Sequence, residues 1–153
     1  TDNIGGAMIT VRDVVSAGRM PYTGFLGRLS QEDSRIVDSA LKTMGIEQLE
    51  RRYMSQLSDG QRQRAIIAKA LAQQTPVMIL DEPTAFLDYK SRIELMTMMR
   101  NLSDSGKSIL MATHDIALAQ KFAGWMWVIG HGNIAEGTPD DCAELLPALY
   151  RQA

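Results

Sequence analysis

The 153-residue chain has one cysteine, Cys142. That excludes an internal disulfide framework and fits a reducing compartment. Its formal net charge is only −2, so it has no general attraction to nucleic acid or to an anionic lipid surface. No apolar run approaches the roughly 18 residues of a membrane-spanning helix, and no secretory pattern stands at Thr1. A role at a membrane would therefore run through a partner. Internal repeats, low-complexity tracts and coiled-coil heptads are missing too. So is a G-x-x-x-x-G-K-[ST] phosphate loop. Residues Asn101 to Ser108 (NLSDSGKS) imitate its end, but Asn101 stands where its first glycine belongs. A helix precedes that run and a strand follows it, the reverse of what a phosphate loop needs, so it reads as a helix end capped at Gly106.

What is present is ordinary for one globular domain: 45% hydrophobic and 22% charged residues, with ten methionines spaced as core fillers. Residues 1 to 75 read as helices and loops. Val11 to Ala17 is a short helix, and Tyr22 to Leu29 a loop punctuated by Gly24 and Gly27. Ser30 caps a helix with Glu32 and Asp33 in its first turn and Ile36, Val37, Ala40, Leu41 and Met44 on one face, closed at Gly45. Asp59 to Gln74 is a further helix. From Pro76 onward strands alternate with helices. Val77–Asp81 is a continuous apolar run of the kind buried on both faces, followed by a helix at Tyr89–Ser105 and a second buried strand at Ser108–Thr113. Ile116–Phe122 is a short helix, and Trp125–Gly130 with Asn133–Glu136 a strand pair turning at Gly130-His131-Gly132-Asn133. Strand–helix–strand order implies parallel pairing.

Three groups of residues carry chemistry. Ser58, Gly60 and Gln61 sit where a helix begins, with a hydroxyl, an approachable backbone and an amide beside its free N–H groups. Phosphate gripping and an ordinary Ser/Asp cap both fit that pentapeptide. Asp81 and Glu82 end an apolar strand and are followed by Pro83-Thr84. Asp81 can hold Mg²⁺ through water, and Glu82 can orient or deprotonate an attacking water. His114 ends the next strand, where ligands bind in parallel sheets, and can reach a γ-phosphate oxygen. His131, between glycines in a turn, reads as solvent-exposed.

Together these residues resemble the ATP-binding-cassette ATPases. Leu57-Ser58-Asp59-Gly60-Gln61 is similar to the family signature LSGGQ, with Asp59 in place of the first glycine, and Gln61 to Ala65 continues the pattern. Val77–Asp81 resembles the Walker B strand, Glu82 the catalytic glutamate, Ala85-Phe86-Leu87-Asp88 the D-loop and His114 the switch histidine. Thr10 to Ser30, through Gly18-Arg19-x-Pro21-Tyr22, resembles the helical subdomain of importers for iron complexes, haem and cobalamin.

The resemblance implies an α/β fold. Residues 1–75 would form a helical signature subdomain, and residues 76–153 the C-terminal part of a RecA-like core with a P-loop NTPase-like parallel sheet. It implies ATP and Mg²⁺ as cofactors and a head-to-tail homodimer. Leu57, Ser58, Asp59, Gly60, Gln61 and Asp88 would bind nucleotide, Asp81 would hold Mg²⁺ through water, and Glu82 and His114 would be catalytic. Ser58, Gly60 and Gln61 would then grip the ATP of the partner subunit, and Asp81, Glu82 and His114 would act on their own. The other partners implied are a transmembrane permease, met through Met20 to Leu29 at the cytoplasmic face of the membrane, and indirectly a substrate-binding protein; nucleic acid is not expected. Asn3 to Ala7 offers no substitute for a phosphate loop, adenine-stacking aromatic or glutamine loop. The chain therefore reads as part of a longer subunit, with an unpaired edge on Ile109–Thr113, and alone it should bind Mg-ATP weakly and hydrolyse none detectably. The rival readings are a cassette ATPase of DNA repair or chromosome maintenance, and a non-catalytic half that lends its signature to a partner.

Overall fold

The first three α-helices begin with the same local device. Thr10, Ser30 and Ser58 each accept a hydrogen bond from the backbone N–H three residues on, while the side chain there (Asp13, Asp33 and Gln61) accepts from the capping residue's own N–H. Each reciprocal pair satisfies two otherwise orphaned donors. The helices are α1 (Val11–Ser16), α2 (Gln31–Thr43) and α3 (Asp59–Ala72), in a computed structural model that describes residues 8–24, 27–130 and 133–150. Asn3 to Ala7, Phe25, Leu26, His131 and Gly132 lie outside the described residues. Glycine 45 ends α2 at φ +62, as expected of a left-handed cap.

Helices α1, α2 and α3 bury Val11, Val15, Val37, Leu41, Ala65 and Ile67 against one another. The same core continues into β1 (Val77–Asp81) and α4 (Tyr89–Asp104) through Met78, Leu80, Leu95 and Met99. Strand β2 (Ser108–Ala112) pairs parallel with β1, from Val77↔Ser108 to Asp81↔Ala112. Among the described residues β2 pairs with β1 alone. After α5 (Ile116–Phe122), β3 (Met126–Gly130) and β4 (Asn133–Gly137) form an antiparallel hairpin. A second small core of Met126, Val128, Ala135 and Cys142 joins that hairpin to α6 (Pro139–Tyr150).

The expectation that β1 and β2 are both buried strands is not met: no residue of β2 is fully buried, and β1 is covered on one face only. Met78 and Leu80 are buried, but Val77 is exposed and Ile79 is 73% exposed beside its exposed register partner Leu110. Side chains alternate across a strand, and no described element covers the odd-numbered face of β1. A further difference lies after α1, where Ala17–Tyr22 forms a 3₁₀ helix rather than leading directly into a loop.

Where α2 meets that 3₁₀ segment, the buried Asp33 accepts from Ser30 Oγ at 2.6 Å and Ser30 N at 2.9 Å, and from Arg19 Nε at 2.8 Å. The Ser30 hydroxyl and amide, then Arg19, hold its carboxyl down to about 2. A depressed carboxyl stabilises the fold at pH values above its unfolded value near 4, and that contribution disappears as pH falls through about 2. Acid unfolding should therefore steepen between pH ~4 and ~2. Asp33→Asn should flatten that limb while lowering stability at neutral pH by leaving Arg19 unpaired; circular dichroism along a pH titration checks both.

Candidate functional site

Strand β1 delivers Asp81 to its C-terminal end, where the backbone turns sharply: Glu82 has φ 44 and Phe86 φ 63, both left-handed. The turn is held from both sides. Glu82 N donates to the Ala112 carbonyl at 3.0 Å, Ala85 N to the Glu82 carbonyl at 3.0 Å and Leu87 N to the Thr84 carbonyl at 3.3 Å. Buried Pro83, Thr84 and Leu87 anchor it, whereas Phe86 is 92% exposed. A non-glycine residue in the left-handed region costs on the order of 1–3 kcal/mol and persists only where its surroundings fix it. Here the turn aims the half-buried Glu82 carboxylate across to the end of β2.

There it meets His114. The Glu82 Oε1 atom accepts from His114 N at 2.8 Å and lies 3.6 Å from His114 Nε2, and Thr113 Oγ1 reaches Glu82 Oε2 at 3.5 Å. The imidazole itself is fully open to solvent. Thr113 Oγ1 in turn accepts from Asp115 N at 3.1 Å, and Asp115 caps α5 by accepting from Leu118 N at 3.0 Å. Glu82, Thr84, Ala85, Arg92, His114, Asp115 and Ile116 line an open recess of about 460 Å³. Thus Asp81, Glu82 and His114, 33 positions apart at the extremes of the sequence, sit at adjacent ends of two parallel strands, the ligand-binding end of such a sheet. No cluster of three or more His, Cys, Asp or Glu side chains able to hold a metal occurs among the described residues. A single exposed acid, Asp81, still suits Mg²⁺, which takes one or two carboxylates and completes its shell with water and phosphate oxygens.

Leu57 to Gln61 form a second group at the start of α3. Leu57 is buried, Ser58 and Asp59 are exposed, and Gly60 and Gln61 are half-buried. Ser58 Oγ accepts from Gln61 N at 3.3 Å, and Gln61 Oε1 accepts from Ser58 N at 3.1 Å. Asp59, at the position where the sequence departs from glycine, lies 3.2 Å from the Arg62 guanidinium. A Cβ on Gly60 would stand 3.4 Å from Ser91 Oγ, so this turn leans on the first turn of α4. That turn is capped by Asp88, which accepts from Ser91 N and Ser91 Oγ, both at 2.9 Å. The Ser91 amide and then its hydroxyl hold the Asp88 carboxyl below its usual range. The turn from Leu57 to Gln61 and Asp88 are therefore brought together, while no hydrogen bond among the described residues ties Ser58, Gly60 or Gln61 to Glu82 or His114.

The family profile of the ABC transporters matches residues 6–85. The chain belongs to the ABC transporter family. Among its relatives in that family, the petrobactin import ATP-binding protein FpuC of Bacillus anthracis is 38% identical over 146 residues, covering 93% of this chain and 54% of FpuC. The achromobactin transport ATP-binding protein CbrD of Dickeya dadantii is 43% identical over 140 residues, covering 90% of this chain and 51% of CbrD. The chain thus spans about half the length of the curated relatives it matches. Among solved structures, an inward-facing ABC transporter assigned to the metal-chelate type superposes with a TM-score of 0.88 at 26% identity, over 95% of this chain and 59% of that one. The fold is accordingly the P-loop NTPase-like cassette of ABC ATPases, a nucleotide-binding fold. No helix among the described residues is long and apolar enough to cross a membrane.

Sequence reasoning missed Thr113 and Arg92 as members of the site. Arg92 donates from Nε to the Leu87 carbonyl at 2.8 Å and pairs with Asp115 at 3.4 Å, linking the turn after Glu82 to the His114 loop. Its only signal is its place in the first turn of α4, four residues after Asp88.

Proposed function

We propose that this chain is the larger part of the ATP-hydrolysing subunit of an importer for an iron–siderophore, haem or cobalamin complex. The observation that carries this reading is the convergence of Asp81, Glu82 and His114 at the ends of two parallel strands beside an open recess. The import of petrobactin by FpuC and the transport of achromobactin by CbrD support the substrate class.

In this mechanism Glu82 orients a water and takes its proton as the water attacks the γ-phosphorus and the γ-phosphoryl parts from ADP. The hydrogen bond from the His114 amide keeps the carboxylate aimed into the recess, and the exposed imidazole is free to contact a γ-phosphate oxygen. Asp81 would hold Mg²⁺ through water, and the ion would supply positive charge against the phosphates. Leu57, Ser58, Asp59, Gly60 and Gln61 form the face that meets nucleotide held by a second copy placed head to tail, with Asp88 beside them. Two observations favour that division: the signature turn has no hydrogen bond to Glu82 or His114 among the described residues, and it packs on the Asp88 turn. Residues 1–75 act as the helical signature subdomain and 76–153 as part of the catalytic core. The permease is met through Met20 to Leu29, of which Phe25 and Leu26 lie outside the described residues, at the cytoplasmic membrane face, with a substrate-binding protein beyond it.

The test is reconstitution of the full-length subunit with its permease in proteoliposomes. Uptake of a ferric siderophore that needs Mg-ATP is expected. Hydrolysis stimulated by duplex DNA but not by the permease would instead favour a chromosome-maintenance ATPase.

A further inference from the structure

Arg19 is a charged side chain only 6% exposed, on the 3₁₀ segment Ala17–Tyr22. It serves three elements at once. Its Nε donates to Asp33 Oδ1 at 2.8 Å at the start of α2. One terminal nitrogen donates to the Ala72 carbonyl at 2.8 Å and to Gln74 Oε1 at 3.2 Å, at the end of α3. The guanidinium also lies 4.1 Å from the centre of the Tyr22 ring, whose hydroxyl donates to the Gln73 carbonyl at 2.7 Å. One residue earlier, a Cβ on Gly18 would stand 2.3 Å from the Lys69 carbonyl, so the 3₁₀ backbone lies directly on α3. A cation on the unpaired carbonyls of a helix C-terminus is favourable in itself. Yet a buried ion pair is often matched in stability by apolar residues of similar volume. What it supplies in addition is a fixed geometry between three segments.

The opposite end of α3 bears Ser58 to Gln61, about 21 Å away along a 14-residue helix. The residues flanking Arg19's attachment, Met20 at 67% and Tyr22 at 55% exposure, stand out from the surface. We propose that Arg19 is a positioning residue that locks Ala17–Tyr22 to the C-terminal end of α3, so that exposed Met20 and Tyr22 move as one rigid body with the signature turn at the other end of that helix. In the complete transporter this makes Arg19 the joint through which a displacement of the signature turn is delivered to the permease. The inference rests on the proposed function for the identity of that partner.

The test compares wild type, Arg19→Ala and Arg19→Lys in the full-length subunit reconstituted with its permease, reading ferric siderophore transported per ATP hydrolysed. Arg19→Ala should lower that ratio by about tenfold, with hydrolysis by the permease-free subunit unchanged. A wild-type ratio, or hydrolysis falling in step with transport, would overturn the proposal. Arg19→Lys keeps a charge near Asp33 but has no planar fork for several acceptors. Should Arg19→Ala fail to fold, a lowered ratio in Arg19→Lys supports the proposal and a wild-type ratio overturns it. Hydrogen exchange on the same proteins reads the joint without transport, which separates its failure from failure of the importer reading. Protection lost over Gly18 to Thr23 and kept across α2 and α3 supports the joint; unchanged protection, or loss throughout all three, overturns it.

Discussion

Glu82→Gln in the full-length protein is expected to lower ATP turnover by about 10²–10⁴-fold while leaving nucleotide binding intact, as loss of a general base does. The substitution is narrow. Glutamine keeps the shape of glutamate and an oxygen that can accept from His114 N, the 2.8 Å bond that ties the ends of the two strands together. It also leaves the left-handed backbone at φ 44 unchanged in kind. What disappears is the proton acceptor and its negative charge. Single-turnover hydrolysis alongside equilibrium binding of a fluorescent ATP analogue separates the two effects. Turnover equal to wild type would remove Glu82 from the role of base, and loss of binding would make its contribution one of placement. Non-catalytic lending of the signature predicts no effect of this substitution on the chain's own nucleotide, so the same measurement bears on that rival.

Much of this site was legible because its parts are local. An apolar run closing on Asp81-Glu82 and another closing on Thr113-His114 mark strand ends without reference to anything distant. The Ser-x-x-Gln and Ser-x-x-Asp spacings at Ser58 and Ser30 mark helix starts, and both helices begin there. The helix Pro139–Tyr150 was overlooked although its opening carries a signal: Pro139 at the start and Asp140 and Asp141 in the first turn. What could not be read locally depends on partners far along the chain. Pro21 and Gly18 look like breakers, and only contacts with Lys69, Ala72 and Gln73 show why the segment is 3₁₀ helix instead. The exposed face of Val77 and Ile79 was misjudged for a related reason. A run of apolar residues reports that both faces want cover, and it carries no information on whether the neighbouring elements supply it. Thr113 and Arg92 were missed because a hydroxyl at a strand end and an arginine on a helix are common; their roles come from reaching Glu82 and Asp115 across the fold.

Gly18→Ala is expected to be the most damaging single-methyl addition to the helical part, costing about 3 kcal/mol of stability. The added carbon would lie 2.3 Å from the Lys69 carbonyl oxygen and 3.1 Å from Ala72 Cβ, and the first of these is backbone that cannot rotate aside. Relief requires the 3₁₀ segment to lift from α3, and that movement stretches the bonds from Arg19 to Ala72 and from Tyr22 to Gln73. Packing and these two hydrogen bonds therefore fail together rather than independently. Gly24→Ala is the control: nothing lies within 4 Å of a Cβ there, and its effect should stay within about 1 kcal/mol, with either sign. Urea unfolding of the two full-length variants gives the comparison. Equal midpoints would show that α3 yields at Lys69, and the close approach of the two backbones would then be incidental to stability.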